Sequence, residues 1–309
     1  MTNMTYHYLA NGIPIESELE FKELPETFDK PIILIKYGKT PKNIKNIIYR
    51  GATSFAGGNE YLLRVNNVAT YYLEKKGNRF FITIQPEKDV LENELRIFVL
   101  SSIMGAVAHM QGFFPLHASG VNIGGKAFLF CGASGIGKST LCAALYQKGY
   151  PFITDNLANL FSNQKGDLMV YPSYNHIRLW SDSIKELKEF ENDGVKMREE
   201  IEKYNMLLTA SLPSQPITVG GIFILRKSFD SDISMELISG RVKSDMLVSN
   251  TFRIKLLNAI GDQKEYFKIL NIAANKVPIL KLQRPISQFR LSDLSQCVLE
   301  KANELVSHG

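Results

Sequence analysis

Through about residue 85, apolar and β-branched positions alternate with polar ones, the period-two pattern of half-buried strands. This predicts strands over residues 5–9, 32–37 and 61–65, and a hairpin over 69–84 that turns at Lys76-Gly77-Asn78. Pro25, Pro31 and Pro41 break any helical alternative, so residues 1–86 read as a small β-rich domain. From Glu87 the period lengthens. Leu91, Leu95, Phe98 and Ser102 share one helical face, and after Ile97 the chain is apolar all round, as in a helix sunk in a core. That helix is expected to link into a second domain, residues 87–309.

Beyond Phe114-Pro115, two strand-like runs, 116–123 and 126–131, are joined by the hairpin dipeptide Gly124-Gly125. Further strands are expected at 151–154, 166–171, 218–225, 233–237 and 279–282, and helices at 242–260 and 263–275. The last helix, 292–307, opens on the cap residue Ser292 and carries Leu294, Val298, Ala302 and Leu305 at helical spacing. Strands interspersed with helices predict an α/β fold.

Composition narrows the function classes. The 309 residues are 45% hydrophobic and 22% charged, which excludes disorder as the main state. Lys+Arg 36 against Asp+Glu 31 leaves +5, too small an excess to argue for nucleic acid. Cys131, Cys142 and Cys297 show no CxxC spacing, so neither a disulfide framework nor a zinc site is expected, and a reducing cytoplasm is the default. The start, MTNMTYHYLANG, lacks the features of a signal peptide. Residues 97–125 contain no Asp, Glu, Lys or Arg, but the apolar block 97–108 is shorter than the ~20 residues a bilayer needs, so no membrane partner is expected.

The richest motif follows the run 126–131. Gly132-Ala133-Ser134-Gly135-Ile136-Gly137-Lys138-Ser139 fits GxxxxGK[ST], and Thr140 opens a plausible helix behind it. Glycines let the backbone wrap a phosphate with its N–H groups inward, Lys138 reaches the terminal phosphates, and Ser139 ligates Mg²⁺. Whether the nucleotide is cleaved, transferred or only sensed does not follow from the loop.

Asp155, followed by Asn156, ends the run 151–154, which is expected to lie parallel and next to the loop strand. There it would bind Mg²⁺ or accept the proton of an attacking hydroxyl; the plainer alternative is a carboxylate capping a turn. His117 is expected on a strand beside the loop strand, facing the phosphates or satisfied in the core. Arg178, Lys203 and Arg253 are cations able to cover a transferred phosphoryl group or to form surface ion pairs. His7, His109 and His308 have no partner at ligand spacing.

LHASGVNIGGKAFLFCGASGIGKSTLCAALYQKGYPFITDN resembles the catalytic core of the HPr serine kinase/phosphorylase family, and most closely the kinase-like proteins of lasso-peptide clusters. YHYLANGIPIESELEFKELP, YPSYNHIRLW, EKY, NTFR and LQRP extend the resemblance over nearly the whole chain. The resemblance implies a P-loop, phosphoenolpyruvate carboxykinase-like kinase core, ATP and Mg²⁺ as cofactors, and phosphorylation of a serine hydroxyl. In the lasso branch that serine is the C-terminal one of a precursor peptide. It further implies that Lys138 and the loop glycines hold the phosphates, that Ser139 holds the metal, and that Asp155 and His117 match the family's first aspartate and upstream histidine. Asn156 departs from the pattern, since the family usually carries a second Asp there. Asn156 can still offer an amide oxygen to Mg²⁺, but the site has one negative charge fewer. Family members often form homo-oligomers, and the different N-terminal domain makes HPr itself an unexpected substrate.

The expectation is therefore a cytoplasmic kinase that binds MgATP at residues 132–140 and takes an extended peptide by strand addition near the β-rich domain. Two alternatives stay open: a non-catalytic nucleotide-sensing module, made plausible by Asn156, and a small-molecule kinase.

Overall fold

The computed structural model describes residues 4–187, 194–198, 201–209, 215–288 and 290–307; His308 lies outside them. The chain forms two compact units, one of residues 1–113 with 253–266, the other of 114–252 with 267–309.

The first unit holds an eight-stranded sheet in the order β1-β2-β3-β8-β7-β6-β5-β4. Its strands are β1 (Tyr6–Ala10), β2 (Ile13–Ser17), β3 (Ile33–Tyr37), β4 (Tyr49–Arg50), β5 (Ser54–Gly57), β6 (Glu60–Val65), β7 (Ala69–Lys76) and β8 (Arg79–Pro86). The β7–β8 hairpin turns at Gly77, φ 57°, with Lys76 opposite Arg79. Its inward Tyr71, Leu73, Phe80, Ile82 and Ile84 are buried, which is the core the alternation predicts. The apolar stretch after it is helical, as α1 (Glu92–Phe98), a π turn (Val99–Ile103) and α2 (Met104–Met110). Every residue of α2 is buried, which explains the absence of charge. Among the described residues no helix is long and apolar enough to cross a membrane.

The second unit is built on a nine-stranded mixed sheet whose main path runs β12-β10-β11-β18-β14-β13-β9. These are β9 (Phe114–Leu116), β10 (Ala118–Ile123), β11 (Lys126–Cys131), β12 (Phe152–Thr154), β13 (Ala158–Ser162), β14 (Leu168–Val170) and β18 (Ile217–Ser228). β20 (Ile279–Pro285) pairs parallel to β18 and antiparallel to β19 (Ser234–Leu237). A separate three-stranded sheet joins β15 (His176–Trp180), β17 (Ile201–Leu207) and β16 (Gly194–Arg198). The β10–β11 turn has both Gly124 and Gly125 at positive φ, 58° and 80°, the requirement of a tight type I′ connection.

Helix α3 (Lys138–Gln147) lies in the core, with Leu141 to Leu145 buried against Phe128, Phe130 and Phe223. Helix α8 (Leu291–Ser307) covers the same cluster with Leu294, Val298 and Ala302. α4 (Ser181–Glu186), α5 (Val242–Ser249), α6 (Leu257–Ile260) and α7 (Gln263–Lys276) complete the described α-helices, with a 3-10 turn at Ile254–Leu256.

Two expected elements are broken. The run 116–123 divides at His117, whose N–H donates to Asn250 O at 2.9 Å; Leu116 pairs with β13 and Ala118 with β11. The helix expected over 242–260 stops at Ser249. Asn250 and Thr251 turn their side chains back onto the carbonyls of Met246 and Leu247, and Arg253 adopts φ 48°, a left-handed conformation that ends the turn.

Candidate active site

The loop between β11 and α3 takes its course from its glycines. Gly132, Gly135 and Gly137 have φ of 139°, 74° and 108°. At Gly132 a Cβ would also lie 2.8 Å from Leu225 O on β18, so both conformation and space demand glycine there. Gly137 is the N-cap of α3, whose first turn opens beneath the loop. Lys138 Nζ donates to Gly132 O at 2.9 Å and Ala133 O at 3.0 Å, drawing the ammonium into the ring of the loop. Burial lowers the Lys138 pKa, with Asp155 opposing the shift.

Asp155 is the centre of the site. The residue is 2% exposed, and its carboxylate accepts bonds from Ser139 Oγ at 2.7 Å, Ser119 Oγ at 2.6 Å and the Arg178 backbone N–H at 3.0 Å. Its carbonyl accepts from Tyr174 Oη at 3.2 Å. The expected strand adjacency is corrected: β12, which delivers Asp155, pairs with β10 and not with the loop strand β11. Because β10 is antiparallel to both, β12 still runs in the same sense as β11, and Asp155 arrives at the end of the sheet where the loop lies. Asn156 holds φ 76°, a conformation Asn tolerates better than most residues.

Around these residues lies a pocket of about 530 Å³ including its open mouth, lined by His117, Ser134, Gly135, Gly137, Lys138, Ser139, Thr140, Asp155, Asn156, Arg178, Trp180, Ser183 and Lys203. The structure thus brings together Asp155, His117, Lys138, Ser139, Asn156, Arg178 and Lys203. Arg253 belongs to the first unit, where its guanidinium donates to Ser102 Oγ at 2.7 Å. Gly132, Ala133 and Ile136 shape the loop from behind the lining. Burial holds His117 down to about 4, reinforced by the Lys138 charge and opposed by Asp155, so its imidazole is neutral at pH 7. Burial also lowers the Lys203 pKa, with Asp155 opposing and Arg178 reinforcing. Arg178 is buried, and among the described residues its Nε has no hydrogen-bond partner.

The polar lining therefore carries Lys138, Arg178 and Lys203 against Asp155 alone, an environment suited to an anion. Ser139 Oγ and Asp155 Oδ1 are hard oxygen donors beside each other, with the Asn156 amide also in the lining. Such a set fits Mg²⁺, which binds through one or two protein oxygens and completes its shell with water and phosphate. Among the described residues no group of three or more His, Cys, Asp or Glu forms a metal cage.

Several contributors escape sequence reasoning. Ser119 and Tyr174 fix Asp155. Arg284, on β20, grips Ile136 O with Nε at 3.2 Å and Nη2 at 3.1 Å, clamping the crest of the loop. Trp180 and Ser183 come from the end of β15 and the start of α4. Ser119 and Arg284 stand inside the quoted LHAS and LQRP segments, but nothing in those segments says what they touch.

No family model matches the chain, and no curated protein matches it. Among solved structures it is similar to the Hpr(Ser) kinase/phosphatase from Coxiella burnetii, at 15% identity over 63% of this chain and 99% of that one, with a TM-score of 0.30. At that score the likeness carries no argument about this chain, and the site geometry stands alone.

Proposed function

We propose that this chain is an ATP-dependent phosphotransferase that passes the γ-phosphoryl group to a serine hydroxyl of a peptide. The observation that supports it is the 2.7 Å bond from Ser139 Oγ to Asp155 Oδ1, at the foot of a glycine loop that holds Lys138. A loop hydroxyl and a strand-end carboxylate are the pair that positions Mg²⁺ in phosphate-loop enzymes.

In this mechanism the amides of residues 132–139 and the α3 N-terminus bind the phosphates, and Lys138 neutralises their terminal end. Ser139, Asp155 and Asn156 would hold Mg²⁺, which supplies charge neutralisation on the transferred group. Asp155 Oδ2 accepts one backbone bond and, as a carboxylate oxygen, has a further lone pair to accept the serine proton. The serine oxygen attacks the γ-phosphorus, the bond to the β–γ bridging oxygen breaks, and ADP leaves. Arg178 and Lys203 stabilise charge on the transferred group, and neutral His117 orients the hydroxyl without adding a competing cation.

The C-terminal serine of a lasso-type precursor is the acceptor that the resemblance suggests, and the cytoplasm is the compartment that suits MgATP and three free thiols. The test is intact-mass spectrometry of such a peptide after incubation with the protein and MgATP. A phosphate-sized gain is expected, reduced about 10²–10³-fold by Lys138→Ala. ATP binding with no gain on any peptide would sink the peptide-kinase reading in favour of a small-molecule kinase or a nucleotide-sensing module, the second of which Asn156 favours.

A further inference from the structure

Trp180 is the one tryptophan of the chain, and it is 45% exposed at the mouth of the pocket. The ring stands in the lining of a pocket whose other side chains are mostly polar, among them Lys138, Arg178 and Asp155. One side of the ring is taken: Lys203, directly opposite on β17, holds Nζ 5.6 Å from the ring centroid. This cation–π contact fixes the ring while leaving indole surface open.

Its position relative to the phosphates is set by two contacts. Arg178, two residues earlier on β15, lends its N–H to Asp155, so the inner part of the strand lies at the Asp155 end of the pocket. Residues i and i+2 project from the same face of a strand, about 7 Å apart, which puts Trp180 outward of Arg178. Three residues beyond Trp180, Ser183 Oγ lies 2.8 Å from Thr140 Oγ1. Thr140 follows Ser139, the partner of Asp155, so this contact ties the Trp180 segment to the first turn of α3, past the end that Lys138 and Asp155 define.

We propose that the open indole surface of Trp180 is the stacking platform for the nucleobase of the nucleotide whose phosphates the loop holds. The proposal rests on the phosphate-binding reading of that loop. Stacking of a base on an aromatic ring needs no edge-specific partners, and each base stacked is worth about 1–3 kcal/mol by alanine substitution.

Because the chain has one tryptophan, its fluorescence excited selectively over tyrosine reports Trp180 alone. The full-length protein is titrated with MgATP and with magnesium tripolyphosphate, following emission and, by calorimetry, binding. Both ligands are expected to bind, with MgATP quenching Trp180 and tripolyphosphate leaving its emission nearly unchanged. Trp180→Ala should weaken MgATP about 5- to 150-fold and spare tripolyphosphate, while Trp180→Phe retains most of the MgATP affinity. MgATP binding without quenching, an alanine variant that binds MgATP normally, or one that loses both ligands equally would each overturn the base platform. If tripolyphosphate and MgATP both fail to bind the wild-type protein, the phosphate-loop reading falls first and the platform with it.

Discussion

At the scale of single residues, the site is governed by the donors that share the one Asp155 carboxylate: the Ser119 and Ser139 hydroxyls and the Arg178 N–H. Asp155→Asn keeps the size of the side chain, and its amide can face the Ser119 and Ser139 oxygens while its carbonyl takes the Arg178 N–H. Folding should therefore survive, whereas, if Asp155 has the proposed roles of proton acceptor and metal holder, transfer should fall about 10²–10⁴-fold, as measured by the intact-mass assay against a thermal melt. Asn156→Asp adds a carboxylate at a left-handed position that Asp also tolerates. It should lower the half-saturating Mg²⁺ concentration roughly three- to tenfold in a metal titration of activity, since charge is what Mg²⁺ selects. His117 carries a pH dependence of stability. Its folded pKa of about 4 lies below the ordinary 6.5, so between those values the unfolded chain binds the extra proton. Stability should therefore fall as pH drops from about 6.5 to about 4, by at most about 3 kcal/mol, and level off below. Denaturant midpoints of the metal-free protein and of His117→Gln check this; a variant that loses as much stability over the same window would refute it.

At the scale of elements, the periodicities that run through the β7–β8 hairpin, the β10–β11 hairpin, the loop and α8 were legible because each is decided by its own residues. Alternation, paired glycines and an i, i+4 apolar stripe are local signals. The failures lie where an element's end is set by something distant. Asn250 accepts the N–H of His117 through its carbonyl, which splits the run at 117, beside the place where the Asn250 and Thr251 side chains turn back on α5 and end it. Nothing in the spacing of residues 116–123 or 242–260 announces it. The same holds for Arg284, which reaches Ile136 O from 148 residues away. Arg284→Lys loses the planar fork that makes two bonds to one carbonyl. It is expected to weaken MgATP roughly tenfold and to cost about 1–3 kcal/mol of stability, read by calorimetry and chemical denaturation.

At the scale of the whole molecule, every residue that lines the pocket belongs to the unit of residues 114–252 and 267–309. Hydrogen exchange with and without MgATP should show protection gathered at 132–140, 153–156 and 176–184, and slowing of the β7–β8 hairpin to the same degree would count against this site. The sequence by itself determined the glycine loop, the helix behind it, the strand that ends in Asp155, and the alternation of the β-rich unit, because those depend on backbone sterics and on neighbours a few residues apart. Only the tertiary structure decided that β12 lies beyond β10, that Ser119 and the Arg178 amide share Asp155 with Ser139, that Arg253 turns to Ser102, and that Trp180 stands at the pocket mouth. Those outcomes depend on which strands pair and which surfaces pack, and such contacts join residues whose separation along the chain carries no period to read.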